Sequence, residues 1–389
     1  MPGAPCIALV AGEASGDLIG SGVVAAIRSH IPDASFVGIG GQRLIAAGLK
    51  PWYPQEKLAV HGLVEVLAHL RELISIRREL VARLLELRPT LFLGIDSPDF
   101  NLGIERKLKR AGVATAHMVS PTVWAWRSGR IRTIRAAVDH MLVLFPFEEA
   151  IYRAAGIPAT FIGHPLADEI PEEVDQAGAR EDLRLPRTAP VIAVLPGSRR
   201  SEIERMAPPF IHAARLVLER IPEARFLVPL VTRETRELFE GILYREQARD
   251  LPMSLLFGHA QEALAASDVA LATSGTVTLE AALVGRPMVI AYRVAPLSYS
   301  IARRLVRVNE MGLPNILAGT LVVPEFVQDA ATPENLAQAL VNLLLDETVR
   351  AAVQARFAEL HGVLRRGAAE TAAQALLPYL AEGGARAAA

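Results

Sequence analysis

The chain is predicted to fold as an α/β protein with two doubly wound, parallel-sheet domains, and three observations carry that expectation. Short apolar runs alternate with longer segments of helical period, the rhythm of repeated βα units. The rhythm breaks between residues 166 and 190, where Pro, Asp and Glu displace the apolar runs and the aromatic residues. It then restarts, and a chain of 389 residues has room for two or three domains.

The first strand is expected at residues 6–11, followed by a helix near 19–30, a strand at 35–39 and another helix. Further strands are read at 90–95, 115–119, 141–145 and 160–162, each running into Gly, Pro or Asp and then a helical pattern. These elements fill a first domain, residues 1–170. The second domain, residues 171–389, resumes with strands at 191–195, 226–231, 269–271 and 288–292. From residue 332 the chain is helical and rich in Ala and Leu, ending in Gly-Gly-Ala-Arg-Ala-Ala-Ala, a tail expected to be disordered. Two such sheets are expected to set their C-terminal edges across an interdomain cleft, so ligands are sought in the loops that follow strands.

Composition narrows the function. Lys and Arg number 41 against 42 Asp and Glu, a net charge of −1, which gives no polycationic footprint for nucleic acid. Hydrophobic residues make up 51% and the mean hydropathy is +0.28, placing the chain at the apolar end of soluble proteins and raising the question of membrane contact. The longest charge-free stretch, residues 111–126, contains His117, Ser120 and Pro121 and falls short of the roughly 18 apolar residues a spanning helix needs. A secretory signal is not expected, because Met-Pro-Gly-Ala-Pro-Cys lacks a basic region. The single cysteine, Cys6, forms no intrachain disulfide and reads as a reduced core thiol of a cytoplasmic protein.

Four loops carry the candidate chemistry. The first, Gly12-Glu13-Ala14-Ser15-Gly16-Asp17, has glycines for a tight turn, but its spacing is not the dinucleotide fingerprint and its carboxylates suit sugar hydroxyls better than a pyrophosphate. It also reads as a plain βα turn with Ser15 or Asp17 as helix cap. The second, Gly94-Ile95-Asp96-Ser97-Pro98-Asp99-Phe100-Asn101, puts Asp96 at a strand end, where desolvation would raise a carboxylate toward general-base duty. Asp99 reads as a cap for the next helix, and Asp96 itself reads equally as a turn-forming aspartate. The third, Leu195-Pro196-Gly197-Ser198-Arg199-Arg200, aims backbone donors and guanidinium charge at one spot, an anion site in outline or else a solvated basic turn. In the fourth, residues 272–281, Ser274, Gly275 and Thr276 start a helix whose first N–H groups can face a phosphate. Glu280, one turn in, can accept ribose hydroxyls or simply complement the helix dipole. No Asp-x-Asp signature and no ligand-spaced histidine pair occurs, so no metal site is expected.

Together with Val119-Ser-Pro-Thr-Val-Trp-Ala-Trp-Arg127, Phe161-Ile-Gly-His-Pro165 and Leu313-Pro-Asn-Ile-Leu-Ala-Gly319, these loops make the sequence resemble the lipid-A-disaccharide synthase family across nearly its whole length. The resemblance implies a glycosyltransferase-B fold, two facing Rossmann-like domains with the active site in the cleft between them. It also implies inverting transfer of 2,3-diacylglucosamine from UDP-2,3-diacylglucosamine to 2,3-diacylglucosamine 1-phosphate, giving lipid A disaccharide 1-phosphate and UDP without a cofactor. On this resemblance Asp96 is the catalytic carboxylate. Gly197, Ser198, Arg199, Ser274, Gly275, Thr276, Glu280 and Asn315 bind UDP, while Glu13, Ser15, Asp17 and Arg127 bind the acceptor in the N-terminal domain. Gln42, Leu44 and His61 depart from the family pattern outside these nucleotide loops. Trp124 and Trp126 also read as core caps, and His164 reads as a structural histidine. The contrasting reading is a UDP-sugar epimerase on the same fold, or a binding module without chemistry.

From residue 58 to 76, Leu63, Val66, Leu67 and Leu70 recur on one helical face with Arg71, Arg77 and Arg78 nearby. That face is expected either to pack on its own domain or to rest peripherally on the cytoplasmic side of the inner membrane, whose anionic lipids attract arginines. A homodimer is compatible with the resemblance, but no motif argues for it, and none reports acyl-chain length.

Overall fold

The computed structural model describes residues 4–58, 63–124, 129–295 and 310–386, excluding the side chains of residues 63–70 and 382–386. Two compact units make up the chain: Met1–Asp168 with Leu364–Ala389, and Glu169–Val363.

In the first unit the described residues form seven parallel strands: β1 (Cys6–Ala11), β2 (Ser35–Gly40), β3 (Leu49–Pro54), β4 (Leu91–Ile95), β5 (Ala114–Met118), β6 (His140–Val143) and β7 (Ala159–Phe161). Their order is β3-β2-β1-β4-β5-β6-β7. A parallel strand covered on both faces must be apolar on both, and β1 shows why. Ile7 and Leu9 pack with Val23, Val24 and Ile27 of the helix Ala14–His30, whereas Ala8 and Val10 pack with Ile76, Leu80 and Leu84 of the helix Leu63–Leu87.

The second unit repeats the scheme with β8 (Val191–Leu195), β9 (Arg225–Leu230), β10 (Met253–Phe257), β11 (Val269–Thr273), β12 (Met288–Tyr292) and β13 (Glu325–Val327), ordered β10-β9-β8-β11-β12-β13 among the described residues. Ile192 and Val194 meet Met206, Phe210 and Phe239 on one face, and Val191 and Leu227 meet Ala263 and Ala266 on the other. In both sheets the winding reverses beside the first strand, at β1/β4 and at β8/β11. A doubly wound sheet opens a ligand crevice at such a point.

Two sequence expectations need correction. The final helix, Ala368–Arg386, was expected with the second domain but belongs to the first unit, where Ala372, Ala373, Leu376 and Leu380 are buried in the same core as Ile7 and Leu9. The same helix runs through Gly383 and Gly384 into the tail expected to be disordered. Its apolar stripe needs a partner face, and the helix Ala14–His30 supplies one.

Candidate active site

The second unit carries a pocket of about 440 Å³ at its switch point. Seven of the eight residues expected to bind UDP line it: Gly197, Ser198, Arg199, Ser274, Gly275, Thr276 and Glu280. Gly197 follows β8 with φ +117°, a conformation glycine adopts without steric cost, and a Cβ there would sit 2.6 Å from that of Glu202. Glu202 closes this turn, accepting from Ser198 N at 3.1 Å and Arg199 N at 3.3 Å. The backbone donors expected to greet an anion here are therefore spent on an internal carboxylate. The Arg199 guanidinium is different: it is exposed, with its nearest carboxylate, Glu202, at 3.8 Å. After β11, Gly275 caps the helix Thr276–Leu283; Thr278 N donates to Gly275 O at 3.1 Å, and Thr276 and Val277, at the very start of the helix, lie in the pocket wall. Burial pushes the Glu280 carboxyl up, Gln261 donates to it and opposes that shift, and the Glu262 charge adds to it. Tyr292, at the end of β12, completes the lining.

Asn315 is not in this pocket. It is fully buried in the short helix Leu313–Ala318, and its amide is saturated. Nδ2 donates to Val323 O at 2.9 Å and Glu325 Oε1 at 2.7 Å, while Oδ1 accepts from Val322 N at 2.7 Å and Val323 N at 3.0 Å. With every donor and acceptor satisfied inside the protein, it has nothing left for a ligand. Glu325, which sequence reasoning missed, accepts from Met311 N and Gly312 N, and Met311 O accepts from Ser274 Oγ at 2.8 Å. Asn315 thus braces the pocket wall from behind.

At the switch point of the first unit, Glu13 is the N-cap of Ala14–His30 without a side-chain capping bond, and Glu13 and Ser15 are both exposed. Asp17 departs from its expected role in acceptor binding. It is buried, and its carboxylate accepts from Gly41 N, Arg43 N and Leu44 N at 2.7–3.1 Å, capping the helix Gln42–Ala47. Asp96 follows β4, half-buried, and its carboxylate has no hydrogen-bond partner among the described residues. Its φ is +53° and that of Ser97 +44°, two successive non-glycine residues in the left-handed region. Such backbone costs about 1–2 kcal/mol per residue and concentrates at functional sites. Ser97, rather than Asp99, is the N-cap of the helix Pro98–Arg110, and the exposed Asp99 pairs with Arg130.

Beyond β5 and β6 lies a polar cluster that sequence reasoning missed. Glu148 is 2% exposed and accepts from Trp124 Nε1 at 3.1 Å and Phe145 N at 3.2 Å. Burial lifts its carboxyl to about 7 against the opposing hydrogen bonds, the one from Ser120 foremost. Ser120 Oγ also meets Tyr152 OH at 2.8 Å. His164 stacks on Phe145, accepts from Leu166 N through Nδ1, and is held by burial down to about 4, a neutral structural histidine. Trp126 and Arg127 lie outside the described residues, as do the side chains of Leu63, Val66, Leu67 and Leu70.

Two doubly wound units, one with a hydroxyl- and glycine-lined pocket beside an exposed arginine and the other with a strained aspartate whose carboxylate has no partner among the described residues, define a two-domain α/β glycosyltransferase. A family model described as Lipid-A-disaccharide synthetase matches residues 7–376, and the chain belongs to the lipid-A-disaccharide synthase family. The Dechloromonas aromatica (strain RCB) protein named lipid-A-disaccharide synthase is 53% identical over 375 residues, covering 96% of this chain and 98% of that one. Among solved structures, the glycotransferase of kitacinnamycin superposes with a TM-score of 0.64 at 16% identity, covering 98% of this chain and 100% of that one. UDP-GlcNAc 2-epimerase from Neisseria meningitidis, bound to UDP-GlcNAc, gives 0.61 at 12% identity, covering 96% and 99%. These structural likenesses concern the fold alone.

Proposed function

We propose that this chain transfers 2,3-diacylglucosamine from UDP-2,3-diacylglucosamine to the 6-hydroxyl of 2,3-diacylglucosamine 1-phosphate, with inversion at C1 and release of UDP. The observation that carries this reading is the gathering of seven expected UDP-binding residues, distant in sequence, around one pocket. In it, Arg199 neutralises the leaving diphosphate, the first turn of Thr276–Leu283 donates to it, and Glu280 accepts from the ribose hydroxyls. The acceptor belongs to the first unit, with Glu13 and Ser15 toward its sugar hydroxyls. Asp96 takes the proton of the 6-hydroxyl as that oxygen bonds to C1 and the bond from C1 to the UDP oxygen breaks. Arg127 remains a candidate for the acceptor phosphate on the family resemblance alone.

Both substrates carry acyl chains, which supports peripheral association with the inner membrane surface through the helix Leu63–Leu87. Among the described residues no helix is long and apolar enough to cross a membrane. Incubating the purified protein with both lipids and following UDP release tests the reading. Release that depends on the acceptor, with disaccharide formed, is the expected result. Conversion of the UDP-sugar alone would instead mark an epimerase.

A further inference from the structure

Asn101 lies on the buried face of the helix Pro98–Arg110 and is fully inaccessible. Its Nδ2 donates to Asp96 O at 2.8 Å and approaches Val10 O at 3.3 Å, so the carbonyl of the left-handed Asp96 is held from below while Asp96 N donates to Met118 O at 2.9 Å. From the other side, Ser97 packs so closely on Gly12 that a Cβ there would lie 2.4 Å from Ser97 Oγ. The environment of Asn101 is a costly one. Glu105 and His117, both fully buried, share a 2.6 Å hydrogen bond, and Asn101 Oδ1, Glu105 Oε2 and His117 Nε2 have no partner among the described residues. Each unpartnered buried polar atom costs about 1–3 kcal/mol. Gly94 leaves room for the group: a Cβ there would sit 2.1 Å from Glu105 Oε1 and 3.0 Å from Asn101 Cβ. A leucine at 101 would remove the unpartnered Oδ1 but strand the Asp96 carbonyl, so the amide is matched to that carbonyl rather than to the surrounding core. What the amide does contribute is a fixed geometry for the turn that carries Asp96.

We propose that Asn101 is a positioning residue for the transfer reaction: its buried amide holds the Asp96 carbonyl and thereby the strained turn that presents the Asp96 carboxylate. This rests on Asp96 being the base. The test is Asn101→Leu, with Asn101→Ala as the second variant should the first not fold. Misplacing a reacting group by about 1 Å can cost on the order of 100-fold in rate, so kcat is expected to fall by at least about tenfold. KM for both lipids and UDP affinity should stay within about twofold, the loss falling on turnover alone. In an Asp96→Asn background the same substitution should lower the residual rate no further, since both changes disable one device. A folded variant with kcat within about twofold of the parent, or a loss that adds to that of Asp96→Asn, overturns the proposal. Normal turnover by Asp96→Asn alone would instead remove the base assignment, an outcome visible before Asn101 is touched.

Discussion

Asp96 and Arg199 stand at the switch points of different units and answer to different tests. Asp96→Asn is expected to lower kcat by a factor of about 100 or more while calorimetric UDP affinity is retained, because a base on the acceptor side need not touch the nucleotide. Arg199→Ala is expected to weaken UDP binding by about tenfold or more, as a charge-assisted bond to phosphate is lost. Swapped phenotypes would exchange the two roles. Two buried groups set a further expectation. Glu148 is held at about 7 in the folded chain against an ordinary 4.5, so between those values only the folded state keeps the proton, and stability falls as pH rises through the window. His164 is held at about 4 against 6.5, so only the unfolded state takes up the proton between those values, and stability falls as pH drops. Each effect spans about 3 kcal/mol. They oppose one another between pH 4.5 and 6.5, so Glu148→Gln should remove the decline toward neutrality and leave the acid-side decline exposed in thermal melts. A melt profile unchanged by Glu148→Gln would contradict the burial argument.

At the scale of elements, the sequence was most legible where strands are buried on both faces. Strands β1, β4, β8 and β12 read as uninterrupted apolar runs, and so could be placed. The strands that went unread, β3, β10 and β13, stand at sheet edges. Pro51 and Pro54 interrupt β3, β10 is half-exposed, and β13 has three residues, so none shows an apolar run long enough to read. The site divides along similar lines. That Gly197, Ser274 and Glu280 fall on turns and helix starts after strands was legible because such features are local in sequence, whereas the buried, saturated settings of Asn315 and Asp17 were not, because their partners lie on other segments. Glu202 left a trace, a carboxylate at capping-box spacing after Arg199, but Tyr292 at a strand end left none. Asn315→Ala strands two backbone N–H groups and a carbonyl, and should cost at least about 2 kcal/mol, read as a lowered Tm. Loss of UDP affinity at unchanged Tm would make it a ligand after all. For the helix Leu63–Leu87, Leu67→Glu or Leu70→Glu should reduce binding to anionic vesicles with the fold retained, and added salt should do the same. Unfolding of those variants would make the face core.

At the scale of the whole molecule, the domain boundary near residue 170 followed from composition, but the route of the chain did not. Helical period announces the helix Ala368–Arg386 without naming the sheet it covers. Asp168 accepts from Gly367 N at 2.8 Å and Ala368 N at 2.6 Å, and His164 N donates to Leu364 O at 2.9 Å, so the turn after β7 receives the returning chain. Removing residues 364–389 should therefore unfold the first unit while leaving Glu169–Val363 and its UDP affinity in place, as limited proteolysis and calorimetry would show. An intact first unit after that truncation would mean the last helix only decorates it.

Because the helix that covers Val23, Val24 and Ile27 leaves the ribosome only after the whole of Glu169–Val363, the unit begun first is completed after the second has been made. Domains ordinarily fold in the order they emerge. Here the N-terminal sheet must wait, one apolar face open, while some 200 residues of the second unit are made and folded, an interval in which a chaperone would find its natural target.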